Sequence, residues 1–160
     1  MNFRNLIWLF PVAITLHNVE EAIWLPDWSK REGRWFAPVE PGVFRFAATV
    51  FAILAFAVTW LSARSGPQTI WTYLAFGCIV AALANVLFPH VALTVAWRGY
   101  MPGVVTALAI NLPVLSVLVV LALRERDVSG WKAVGYCVGV GAAMPAAIRT
   151  LFKLGKILKF

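Results

Sequence analysis

His17-Asn18-Val19-Glu20-Glu21 lies inside a window, Leu6–Leu25, that is otherwise apolar and long enough to cross a bilayer. A charge at such depth costs about 2.5–3.5 kcal/mol even on the lenient insertion scales, so two adjacent carboxylates there need a metal ion, a basic partner or a polar cavity. The spacing is informative. At about 100° per residue, positions i, i+3 and i+4 share a helix face, so all three side chains point the same way within about one turn. Neutral imidazole and carboxylate are good ligands for zinc and non-haem iron. Two ligands four residues apart on a helix can chelate one ion. Without a metal, the same groups in an apolar pocket could move protons.

The elements that must position these residues follow from composition. Of 160 residues, 61% are apolar and 13% charged, with mean hydropathy +0.80, against about 45–50% apolar for a soluble domain. The expectation is an all-α integral membrane protein, a bundle of five transmembrane helices in one domain. The spans are Leu6–Leu25, Val43–Leu61, Ile70–Ala96, Pro102–Leu123 and Trp131–Phe152. The third is too long for an untilted span, so it tilts or bends at Pro89; Pro11, Pro113 and Pro145 also predict kinks. No cleavable signal peptide is expected, because the first segment is too long for a signal core. Cys78 and Cys137 fall within spans and read as small apolar residues.

The formal charge of +7 is no nucleic-acid signal, since the basic residues are scattered over short loops and a tail. Lys153, Lys156 and Lys159 suit lipid headgroups. The connection 26–42, with Trp28, Arg34, Trp35 and Phe36, reads as an interfacial belt, or as a lid over a site. Five spans place the termini on opposite faces. Arg4, Arg64, Arg124, Arg126 and Lys132 lie on the N-terminal side, and the other nine basic residues lie opposite. That bias favours a cytoplasmic C-terminus in the cell membrane.

Counting along the helices brings polar residues of three spans to one depth. His17 is about 13 Å from the membrane face near Pro26, and His90 about 12 Å from that face near Arg98. Asn111 is about 12 Å from it at Pro102-Gly103. Thr94 shares the face of His90, whereas Asn85 falls about 140° away unless Pro89 rotates the helix, and is left outside the site. Arg98 and Tyr100 sit at the mouth, where a tyrosine is ordinarily an interfacial anchor. A shared site requires His17 and His90 to lie within about two helix diameters, ~20 Å.

These residues carry a family resemblance. His17-Asn18-Val19-Glu20-Glu21, then His90, then Tyr100-Met101-Pro102-Gly103 match, in order, the His-x-x-Glu-Glu motif, second histidine and Tyr-x-Pro-Gly motif of the HXXEE family of small membrane proteins. The resemblance spans residues 17 to 103 at least. The family has no established activity, so it implies membership and not a reaction.

The first motif also looks like a His-x-x-Glu-His metallopeptidase motif with Glu21 in place of its last histidine. On that analogy His17, Glu21 and His90 hold zinc or iron. Glu20 is a further ligand or the spare carboxylate that takes a proton from bound water. Asn111, Thr94, Tyr100 and Arg98 would orient ligands or substrate. The expected function is a metal-dependent enzyme, hydrolase or oxidoreductase, acting on an apolar or amphipathic small molecule. Two alternatives stay open. One is a metal-free isomerase of a lipid-like substrate, which resembles in arrangement only the sterol isomerases that use His and Glu within a five-helix bundle. The other is a transporter of protons or small molecules, which at this size would have to assemble as a homo-oligomer. In the plainest reading Glu20 pairs with Arg45 or Arg149 and only fixes the bundle.

Overall fold

The computed structural model describes residues 2–32 and 37–160. Five helices long and apolar enough to cross a membrane account for almost all of them: α1 (Phe3–Arg31), α2 (Pro41–Ser65), α3 (Ile70–Trp97), α4 (Val104–Arg124) and α5 (Gly130–Ile157). The protein is an all-helical membrane protein. Local chemistry explains the ends. Asn2 Oδ1 accepts from Asn5 N–H at 2.9 Å at the start of α1. Thr69 caps α3, Pro41 occupies the first turn of α2, and Gly66 ends α2 at φ +89°.

Two helices run further than hydropathy implies. α1 continues through Pro26 to Arg31, so the first part of the expected 26–42 connection is helical, and α5 continues to Ile157 past Lys153 and Lys156. Hydropathy marks where lipid contact ends, but a helix goes on while its side chains still pack. Trp28 and Ser29 are buried at 6% and 0% exposure, and Ser29 Oγ accepts Val39 N–H at 2.9 Å. Arg34, Trp35 and Phe36, assigned to a belt or lid, lie outside the described residues.

Prolines shape the two helices that face the His-Glu-Glu stripe. Pro89 brings no N–H to the ladder of α3, and Phe88 before it leaves helical dihedrals (φ −135°, ψ 121°), so α3 is kinked within Val86–Val91. In α4 a wide π-type turn covers Ala107–Asn111, just before Pro113, which brings no N–H to the ladder. The kinked segment of α3 packs against the wide turn of α4, which also packs on α1.

The apolar core occupies the other half of the bundle. Phe3, Ile7 and Phe10 from the start of α1 meet Ala55 and Val58 of α2, Tyr73, Phe76 and Ile79 of α3, and Leu115, Leu118 and Ala122 of α4. α5 lies against α2 and α3 and buries only Ala133 and Gly155. Cys78 and Cys137 are free thiols, half-buried. The core half is a packed apolar plug edged by a small polar group (Thr59, Ser62, Thr72 and Asp127), and the half nearest the Tyr100–Gly103 turn holds the buried histidines and Asn111.

Candidate metal centre

The rings of His17 and His90 meet edge to face, 4.7 Å between centroids. They are 4% and 1% exposed. Glu21 lies between them: its Oε2 is 3.9 Å from His17 Nε2, and its Oε1 is 3.6 Å from His90 Nε2. One ligand atom from each of the three side chains can be chosen so that all lie within 4.8 Å of one another. Ligand atoms around a tetrahedral zinc are about 3.3 Å apart, given bonds of about 2.0–2.1 Å. The two pairs at 3.9 and 3.6 Å are about 0.6 and 0.3 Å wider than that, and a set within 4.8 Å would have to draw in by up to about 1.5 Å to hold one ion.

Gly103 closes this cluster on the side of the mouth. Its φ is +90°, and a β-carbon there would stand 2.6 Å from His90 Cε1, 2.8 Å from His17 Cε1 and 3.0 Å from Glu21 Cγ. Only glycine fits both the backbone conformation and the space.

Glu20 is placed differently from the sequence expectation of a ligand or free base. Its Oε1 accepts from Tyr100 Oη (2.6 Å), Gly103 N (3.1 Å) and Val105 N (3.4 Å), and its Oε2 from Thr106 N (2.7 Å) and Thr106 Oγ1 (2.6 Å). A carboxylate offers about four lone-pair sites, so this one is fully used. The reason is local. Gly103 sits at the N-cap position of α4 with no side chain to cap it, and a carboxylate from α1 satisfies the exposed N–H groups and complements the helix dipole. Glu20 does fix the bundle, but through α4 and not through Arg45 or Arg149.

Tyr100 is therefore more than an interfacial anchor, since its hydroxyl donates to Glu20. Partial desolvation and that hydrogen bond push its phenol well above the usual tyrosine range. Trp28 Nε1 donates to the Tyr100 carbonyl at 3.0 Å and its ring lies against Trp97, tying the end of α1 to the turn.

Thr106 was not singled out from the sequence. Its hydroxyl touches both Glu20 and, at 3.0 Å, His17 Nδ1. The available signal was weak: a threonine three residues past the glycine that opens a helix. Asn85 is a correction. Regular helical geometry puts it outside the site, yet its Nδ2 is 3.0 Å from His90 Nε2. The kink at Phe88–Pro89 breaks the regular helical phase between Asn85 and His90 and turns the two side chains toward each other.

Asn111 is 1% exposed, on the wide turn of α4. Thr94 is one turn past His90, and Arg98 ends α3 in a left-handed conformation, exposed at the mouth. Buried polar atoms without a hydrogen-bond partner, among the described residues, are His17 Nε2, His90 Nδ1, Thr94 Oγ1, Asn111 Oδ1 and Thr59 Oγ1. Four of the five belong to residues assigned to the site from sequence. Each such atom costs about 1–3 kcal/mol if left unpaired.

The comparisons with known proteins agree on kinship. Residues 8–118 match the family model described as "Protein of unknown function with HXXEE motif". The chain is 36% identical over 147 residues to the uncharacterized protein YrkK of Bacillus subtilis (strain 168), covering 91% of this chain and 92% of that one. No solved structure matches at a significant level. The matched region holds the His-x-x-Glu-Glu motif, His90 and the Tyr100–Gly103 turn, and the chain belongs to the HXXEE-motif family.

Proposed function

We propose that His17, Glu21 and His90 hold a zinc or iron ion within the membrane, and that the protein is an enzyme acting on an apolar or amphipathic small molecule that enters from the bilayer. The observation that carries this reading is the carboxylate of Glu21 set between two buried imidazoles, with His17 Nε2 facing it unpartnered. Two histidines and one carboxylate leave coordination positions open, as catalytic zinc and non-haem iron sites do. The ion would supply Lewis acidity or, if iron, redox chemistry. The chain's own residues shape what reaches it. Gly103 lets the turn close over the imidazoles, Glu20 holds that turn on α4, and Asn111 and Thr94 offer polar atoms to a substrate.

The substrate class is supported by the surroundings. An open groove of about 470 Å3, lined by Trp24, Trp28, Arg31 and Tyr100, leads to the residue bonded to Glu20. Its aromatic walls and the Arg31 guanidinium suit an amphiphile. The basic residues favour the cell membrane with the C-terminus cytoplasmic, which puts this mouth on the cytoplasmic side.

Elemental analysis of protein purified in detergent without chelators tests the reading. The expected result is about one zinc or iron per chain, lost in His17→Ala and in His90→Ala while helical circular dichroism persists. Wild-type protein that carries no metal and takes up neither ion overturns it. A second reading then takes over, favoured by the 3.0 Å contact between Asn85 and His90: metal-free proton transfer among His17, Glu21 and His90 on a lipid-like substrate. Proton or solute flux in liposomes without chemical turnover would instead identify a transporter.

A further inference from the structure

We infer that Thr106 is a positioning residue that decides which nitrogen of His17 carries the ring proton. It thereby keeps the Nε2 lone pair directed at Glu21. The argument is one of counting donors and acceptors. Thr106 Oγ1 has three polar neighbours: Glu20 Oε2 at 2.6 Å, the Gly103 carbonyl at 3.3 Å and His17 Nδ1 at 3.0 Å. A hydroxyl has one proton and two acceptor lone pairs. Glu20 and the carbonyl can only accept, because every other contact of the Glu20 carboxylate is also a donor: Tyr100 Oη and the N–H groups of Gly103, Val105 and Thr106. The hydroxyl proton is drawn to the shorter contact, Glu20. What remains toward His17 is a lone pair, so Nδ1 donates. A neutral imidazole has a single N–H, and Nε2 is left as an acceptor facing the cluster.

The arrangement is rigid at both ends. Thr106 is tied to one carboxylate oxygen by its backbone N–H as well as its hydroxyl. Glu20 is in turn held by the start of α4 and by Tyr100. The chain Glu20–Thr106–His17 therefore has the logic of the carboxylate–histidine pairs that orient metal ligands, with a hydroxyl inserted between. It also accounts for the adjacency of Glu20 and Glu21. The first carboxylate fixes the direction of the imidazole proton, and the second meets the nitrogen that is left free.

The inference rests on the metal reading only for what the free Nε2 is kept for, and its test separates the two. The chain has 2 histidines, so selective 15N labelling of histidine yields signals assignable by their loss in His17→Gln. The expected wild-type protein, metal-free in detergent, shows His17 as the Nδ1–H tautomer. Thr106→Val, which keeps the shape and removes the hydroxyl, moves His17 toward the Nε2–H form and weakens zinc or cobalt binding about 10- to 100-fold. Thr106→Ser restores both. Wild-type His17 in the Nε2–H form overturns the inference, whether or not Thr106→Val folds. So does a folded Thr106→Val protein with unchanged tautomer and unchanged metal affinity. If the tautomers behave as expected and no metal binds the wild type, the positioning role stands and the metal reading fails.

Discussion

Gly103→Ala perturbs the cluster without removing any hydrogen bond, since alanine keeps the N–H donated to Glu20. The new methyl would lie 2.6 Å from His90 Cε1 and 2.8 Å from His17 Cε1, where ordinary contact begins near 3.4 Å. One or both imidazoles must retreat by about 0.6–0.8 Å. Both rings are buried and planar, with no flexible end to yield, so overpacking of this kind costs about 1–3 kcal/mol. The left-handed backbone adds about 1–2 kcal/mol for a residue with a β-carbon. The sum, about 2–5 kcal/mol, would consume much of the stability of a small domain. Gly66→Ala is the control: its φ is +89°, yet a β-carbon there meets nothing within 4 Å. The assay is thermal unfolding in detergent together with zinc titration against a competing chelator. Gly66→Ala should lose stability and keep wild-type metal affinity. Gly103→Ala should lose more stability and at least tenfold in affinity, because ligands displaced by nearly an ångström no longer converge. Wild-type affinity in Gly103→Ala, with a stability loss no larger than that of Gly66→Ala, would refute the claim that the turn is seated on the two imidazoles.

Glu20→Ala strands three backbone N–H groups and two hydroxyls at the start of α4. It should lose about 1–3 kcal/mol in denaturant unfolding, with Glu20→Gln intermediate; a near-neutral Glu20→Ala would contradict the capping role. Asn85→Leu removes the amide bonded to His90 Nε2 and should tighten metal binding about tenfold, the worth of one hydrogen bond of about 1.4 kcal/mol; chelator competition measures it, and weaker binding would mean that Asn85 supports the ligand instead. The raised phenol of Tyr100 keeps its proton in the folded state while the unfolded chain ionises above about pH 10. The folded state then binds more protons, so stability is intact below that pH and falls as pH rises through it. Tyr100→Phe should show a shallower alkaline loss than wild type in unfolding measured between pH 9 and pH 11, and an unchanged slope would count against the Glu20 contact.

How far the site could be read from sequence depended on regular geometry. His17, Glu21, His90 and Asn111 were placed at one depth by helix rise alone, and the two histidine rings do meet. The estimate worked because rise along a helix varies little even where the helix widens. Rotation about the axis is less forgiving. The kink at Phe88–Pro89 carried Asn85 back toward the histidine, and a proline in the sequence announces a kink without giving the direction in which it turns the helix. Glu20 and Glu21 are neighbours with the same composition and the same nominal face, yet one caps α4 and the other lies between the imidazoles.

By itself, then, the sequence determined that the chain lies in a membrane as five helices, because apolar length and the absence of water for the backbone leave no other form. It also determined which residues are too polar to face lipid, since that penalty belongs to the side chain wherever the helix goes. The tertiary structure decided how those residues divide the work. Hydrogen bonds depend on tenths of an ångström and on direction. These are set where the N-terminus of α4 meets Glu20, where Thr106 meets His17, and where Gly103 leaves room for two imidazoles.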